Sequence, residues 1–192
     1  MVATDKVFAG SIPELYDRFM VPLIFEPYAR DLADRLAKAG PKDLLETAAG
    51  TGVLTRAVAA RLPASTRITV TDLNQPMLDY ARTRLSDDNR ITWKQADALA
   101  LPFGDQTFDA VACQFGAMFF PDRVAGYKEA RRVLKTGGHF IFNVWDRISE
   151  NDFADVVTEA LAEMFPNDPP RFMDQYRRPH RITRSARAAR VE

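Results

Sequence analysis

A chain of 192 residues, 46% of them hydrophobic, has the length of one ordinary domain with a sizeable core, and leaves no room for a second full domain. Its 26 basic side chains cancel 26 acidic ones, so the overall balance offers neither a nucleic-acid footprint nor the acidic composition of a solvated, disordered chain. The single Cys113 excludes an internal disulfide framework, and with the distant His139 and His180 it provides no zinc-ligand spacing, so no metal is implied.

Residues 1–12 contain Asp5, Lys6 and Gly10 and lack the uninterrupted apolar stretch of an export signal. No 18-residue apolar run follows, and the expectation is a cytoplasmic protein without a membrane span. Two helices come first, Ser11–Met20 and Leu23–Ala39, separated near Pro22 and closed by Gly40-Pro41. Leu15, Phe19, Ile24, Leu32 and Leu36 make them apolar on one side, for packing against the rest of the domain or for covering a ligand.

Five segments rich in β-formers are predicted as strands: Asp43–Thr47, Arg67–Asp72, Ile91–Ala96, Phe108–Cys113 and His139–Trp145. Between and after them, helical spacing appears over Thr51–Leu62, Gln75–Leu85, Asp122–Leu134 and Glu150–Phe165, the last stopping at Pro166. Strand–helix alternation of this kind predicts an α/β fold, a doubly wound Rossmann-like and mostly parallel sheet with helices on both faces, because parallel neighbours need crossover connections.

In such sheets ligands sit outside the carboxyl ends of the strands. Strand one ends in Glu46-Thr-Ala-Ala-Gly-Thr-Gly52 and enters a helix, whose unpaired N–H groups favour an anionic group. Strand two ends in Asp72, 20 residues beyond Gly52, where a carboxylate can accept both hydroxyls of a ribose. Strand three ends beside Asp97, able to accept from an exocyclic adenine amine, and strand four ends at Gln114. Each feature alone has a plain reading as a tight turn, a helix cap or a surface acid. Three successive strand ends carrying them together point to one bound nucleoside.

These phrases, with Thr71-Asp-Leu-Asn-Gln-Pro-Met77, Gln95-Ala-Asp-Ala98, Leu101-Pro-Phe103, Phe108-Asp-Ala-Val-Ala-Cys-Gln-Phe115 and Glu129-Ala-Arg-Arg-Val-Leu-Lys-Thr-Gly-Gly138, resemble in order the motif series of class I S-adenosylmethionine-dependent methyltransferases. The Leu-Pro-Phe and Arg-Val-Leu-Lys-x-Gly-Gly phrases are most similar to the small-molecule branch that includes the ubiquinone and menaquinone methyltransferases. The resemblance implies S-adenosyl-L-methionine as cofactor and a small-molecule methyl acceptor. It also implies that the Ala48, Ala49, Gly50, Thr51, Gly52 loop holds the methionine part with Glu46 in support, and that Asp72 holds the ribose. By the same resemblance Leu73 and Met77 flank the adenine, Asp97 and Ala98 meet its edge, and Gln114 and Phe115 lie beside the reacting methyl. The family usually has glycine at Ala48; alanine there is acceptable if its backbone angles stay negative, at the cost of weaker binding. The alternative function is a non-catalytic nucleotide-binding or interaction module, a truncated remnant of such an enzyme. A dinucleotide fingerprint fits poorly, since Thr55 stands where a small residue should allow close helix–strand contact.

No catalytic base is named by the sequence. His139 opens strand five away from the ligand edge, and Cys113 reads as a small buried hydrophobe. Trp145, Asp146, Tyr16, Phe19 and Tyr28 are candidates for the acceptor side. Strand four lacks the Asn/Asp-Pro-Pro-aromatic run that grips flipped bases, and residues 1–170 are net acidic, so no nucleic-acid substrate is expected.

The domain is expected to span 1–170, with its helical cover at about 8–40, and to be followed by an Arg-rich, poorly ordered tail at 171–192 holding seven arginines against Asp174 and Glu192. The C-terminal hairpin that completes the usual seven strands is not evident, and an open edge on strand five would invite self-association.

Overall fold

The computed structural model describes residues 12–85, 87–146 and 152–167. Its sheet has five parallel strands, β1 (Asp43–Glu46), β2 (Arg67–Asp72), β3 (Ile91–Gln95), β4 (Phe108–Gln114) and β5 (Leu134–Asn143), in the order β3-β2-β1-β4-β5. Alternation of side chains along β1 separates the two layers: Leu44 joins a core with Leu32, Leu36, Leu54, Val58 and Leu78, whereas Leu45 joins one with Leu101, Phe108, Ala130 and Val133. Helices α2 (Glu26–Ala39), α3 (Val53–Arg61) and α4 (Gln75–Thr83) thus cover one face and α5 (Arg123–Val133) the other. Each fully buried leucine contributes about 2 kcal/mol by leaving water. The predicted Rossmann-like sheet is present, and the chain reverses its direction of winding between β1 and β4, where this topology opens a crevice.

The N-terminal helices differ from expectation. Helix α1 (Ile12–Leu15), a π-helical stretch Tyr16–Phe25 and α2 follow one another without a break, and Pro22 lies inside the π stretch. Its wider turns pair residues five apart, as in the Glu26 N–H donated to the Val21 carbonyl, and so accommodate a ring that would break an α-helix. Gly40 closes α2 as anticipated, donating its N–H toward the Leu36 and Ala37 carbonyls.

Strand β5 begins five residues before the expected His139 and stops before Trp145. Leu134 pairs with Phe108 and His139 already with Ala110, so the intervening Lys135–Gly138 bulge out of the ladder. Among the described residues nothing pairs with the outer edge of β5. The first compact unit runs through Asn143, and a second begins at Val144 and contains α6 (Asp152–Met164), which ends before Pro166. The expected tail and the question of the missing hairpin lie outside the described residues. No helix among the described residues is long and apolar enough to cross a membrane.

Candidate functional site

Parallel pairing brings the carboxyl ends of β1, β2, β3 and β4 to one edge, and the loop after β1 is stitched to both neighbours. Thr47 donates its N–H to the Ala112 carbonyl (2.9 Å), and Ala49 donates its own to Thr71 (3.0 Å). The Thr71 hydroxyl donates to the Glu46 carbonyl at 2.9 Å. Gly50 then donates its N–H to Asp72 Oδ2 at 2.8 Å, joining the β1 loop directly to the end of β2.

The loop turns through left-handed backbone at Ala48 (φ 53°), Gly50 (φ 57°) and Gly52 (φ 79°). At Gly50 a side chain would meet nothing within 4 Å, so this side of the loop is open to a ligand. Gly52 has a different reason: a Cβ there would lie 3.0 Å from Ala81 Cβ, against α4. The negative angle under which alanine is tolerated is not met at Ala48. An alanine held at φ 53° carries a strain of roughly 1 kcal/mol, and its methyl fills the space left by Gly116, where an added Cβ would stand 2.4 Å from it.

Asp72 is 7% exposed; its Oδ1 accepts the Asn74 N–H at 2.8 Å and the Asn74 Nδ2 at 3.4 Å, while Oδ2 accepts only the Gly50 N–H and keeps a lone pair to spare. Leu73 beside it is exposed, and Met77 is buried within α4. Asp97 follows β3 at the same edge, where Ala96 donates its N–H to the Asp72 carbonyl; it is itself exposed and accepts the Leu99 N–H at 2.8 Å, with Ala98 half-buried. Gln114 closes β4, its Nε2 donating to the Phe25 carbonyl at 2.9 Å, and buried Phe115 follows with φ 51°.

Glu46 is 1% exposed and receives the Thr55 hydroxyl on Oε2 at 2.7 Å. Burial pushes its carboxyl up to about 8 despite the Thr55 bond, so it is largely protonated at neutral pH. Thr55 was read in the sequence only as a misfit to a dinucleotide fingerprint; it is the partner of Glu46. Arg56, Asp17 and Tyr80 were also missed. Arg56 Nη1 donates to the Thr51 carbonyl, its Nη2 to Asp17 Oδ1, and the Tyr80 hydroxyl donates to Asp17 Oδ2. No sequence signal could have found them, because Asp17 and Arg56 are 39 residues apart and each reads as the polar side of a helix.

The N-terminal helices reach the end of β4. Phe25 stacks on Tyr16 with centroids 5.4 Å apart, and Phe115 packs against Phe25 at 5.5 Å and edge-on to Tyr28 at 5.2 Å. Phe19 instead faces outward. Trp145, half-buried, and Asp146, exposed, belong to the second unit. His139 pairs with Ala110, four residues short of Gln114, so it lies back from the ligand edge. Cys113 is wholly buried, and burial pushes its thiol up to about 11, leaving it unreactive at neutral pH.

Two buried oxygens, Thr51 Oγ1 and Gln114 Oε1, have no hydrogen-bond partner among the described residues. An open glycine loop, a carboxylate with a spare lone pair and two orphaned polar atoms at one edge fit a ligand rich in donors and acceptors, such as an amino acid joined to a nucleoside.

Comparison with known proteins agrees. A family model described as a methyltransferase domain matches residues 44–138. A ubiquinone/menaquinone biosynthesis C-methyltransferase of Geobacter sp. (strain M21) is 33% identical over 71% of this chain and 60% of its own. A demethylmenaquinone methyltransferase of Clavibacter sepedonicus is 37% identical over 55% of this chain and 42% of its own. The chain therefore spans about half the length of these relatives. In fold it is similar to a methyltransferase from Aquifex aeolicus, with TM-score 0.60 at 17% identity, covering 70% of this chain and 73% of that one. The ordered motif series, the five-stranded parallel sheet with its glycine loop at the switch point, and these matches show an α/β methyltransferase fold and make residues 44–138 of this chain similar to the methyltransferase-domain family.

Proposed function

We propose that this chain binds S-adenosylmethionine along the carboxyl edge of β1, β2, β3 and β4 and directs its methyl group to a small-molecule acceptor. The observation that carries the reading is the bond from the Gly50 N–H to Asp72, which unites the open glycine loop and the ribose-accepting carboxylate in one continuous cradle. In this reading the Ala48–Gly52 loop holds the methionine part above neutral Glu46. Asp72 accepts from the ribose hydroxyls, Leu73 and Met77 flank the adenine, and Asp97 with Ala98 meets its edge.

When bound, the cofactor supplies a sulfonium-activated methyl group. What the protein adds is alignment and exclusion of water. Phe115, clustered with Phe25, Tyr16 and Tyr28, gives the acceptor side an aromatic wall, and Gln114 offers it a hydrogen-bond acceptor. No side chain at this edge is assigned as a general base, which fits an acceptor atom already nucleophilic at the working pH.

Calorimetry with adenosylmethionine, adenosylhomocysteine and NAD tests the cofactor: the first two are expected to bind and NAD is not. Transfer of radiolabelled methyl to a panel of small aromatic and amine acceptors then tests turnover. Binding of adenosylhomocysteine without transfer to any acceptor would favour the non-catalytic nucleotide-binding module instead.

A further inference from the structure

We infer that Arg56 is a positioning residue that transmits docking of the N-terminal helical cover to the cofactor loop, with Asp17 as the group that orients it. The inference rests on reading Ala48–Gly52 as that loop. Arg56 stands four residues beyond Gly52, in the first turn of α3. Its guanidinium divides its donors: Nη1 reaches the Thr51 carbonyl in the middle of the glycine turn at 2.9 Å, and Nη2 reaches Asp17 Oδ1 on the π-helical stretch at 2.8 Å. The Arg56 side chain is 28% exposed and that of Asp17 only 7%. The second oxygen of Asp17 accepts the Tyr80 hydroxyl from α4 at 3.3 Å.

An ion pair that served only to fasten two helices would need no third partner. Here one rigid, planar fork spans the cover and the turn, so a shift at either end rotates the other. The carbonyl it grips belongs to Thr51, whose own hydroxyl is buried and unpartnered among the described residues, so the turn held by Arg56 is the turn with unused binding capacity. A second polar tie, Gln114 Nε2 to the Phe25 carbonyl, fastens the same cover to the end of β4. The cover is thereby anchored on both sides of the crevice, and displacing it withdraws support from the loop.

Adenosylhomocysteine is titrated calorimetrically into the full chain carrying Asp17→Asn, Arg56→Gln, Arg56→Lys or the Asp17→Asn/Arg56→Gln pair, at a temperature where thermal melts show every variant folded. Asp17→Asn, outside the loop, is expected to weaken binding about tenfold, and Arg56→Gln at least as much. The double variant should be no worse than Arg56→Gln alone, and Arg56→Lys, which keeps the charge and loses the fork, should not restore affinity. Without ligand, amide exchange at residues 50–53 should speed up in Asp17→Asn. Lowered melting temperatures with unchanged affinity and exchange, or additive losses in the double variant, would overturn the inference alone. A wild-type chain that fails to bind adenosylhomocysteine would sink the functional reading and this inference with it.

Discussion

At the amino-terminal edge of the sheet Asp109 accepts the backbone N–H groups of Lys42 and Asp43 together with the Lys135 ammonium, and Asp43 in turn pairs with Arg67 and Lys135. At the carboxyl-terminal edge Glu46 is buried with a threonine, two polar oxygens lack partners among the described residues, and Ala48 and Phe115 are held at positive φ. The same strands build both edges. The first edge ties these charges to one another, and the second keeps unspent hydrogen-bonding capacity, which a sequence retains where a ligand repays it. Titration separates them as well. Burial pushes Asp109 up, but Lys135 and the two N–H groups outweigh it and hold its carboxyl below the usual range, whereas at Glu46 burial prevails.

Substitutions at matched positions break or sharpen this contrast. Asp72→Ala is expected to weaken adenosylhomocysteine binding by about 1–3 kcal/mol, read by calorimetry, because it removes both a ribose acceptor and the tether of Gly50. Asp109→Ala, its counterpart, should cost about 1–2 kcal/mol in urea unfolding and leave adenosylhomocysteine affinity unchanged. Equal effects of the two on binding would erase the distinction between the edges.

The pH dependence should have opposite signs. Glu46 has a folded value raised above its ordinary 4.5, so its share of stability is complete below 4.5 and is lost as pH rises toward and through about 8. Asp109, depressed on folding, contributes above its ordinary range, and that share is lost as pH falls through its folded value. Urea melts of Glu46→Gln between pH 5 and 9 should therefore decline less steeply than those of the wild type, while Asp109→Asn should flatten the acid limb only. The smallest effect is expected from Ala48→Gly. Relief of left-handed strain, offset by the greater freedom of glycine in the unfolded chain, should leave a gain of about 0.5 kcal/mol. Gly116→Ala should instead destabilise the protein, by about 1–3 kcal/mol, since its new methyl would meet Ala48 and Cys113. At the sheet's lateral edge we propose self-association along β5; sedimentation of the full chain across a concentration series should show a dimer, and a monomer throughout would remove that proposal.

Much of this edge was legible beforehand. Strands β1 to β4 are marked by runs of β-formers and their helices by helical spacing, and parallel pairing then obliges Glu46, Asp72, Asp97 and Gln114 to share one edge. Where the reading erred, a tertiary influence outweighed a local rule. Pro22 should have ended a helix and is carried within a π-helical stretch, and β5 starts early because pairing with β4 recruits Leu134 across a bulge. Alanine at position 48 is tolerated without strain only at negative φ, but the stitching of Thr47 to Ala112 and of Ala49 to Thr71 holds it between two fixed points at φ 53°.

What the residues alone determined is the order of elements, the layered parallel sheet and the strand ends at which a nucleoside cofactor is expected, because these follow from local period and from the chirality of crossover connections. What only the tertiary structure decided is which polar groups meet: Thr55 with Glu46, Gly50 with Asp72, and Arg56 between Asp17 and Thr51. Such pairings depend on distances of a few ångströms between segments remote in sequence, and burial then sets their protonation. Neither property has a period that can be read along a chain.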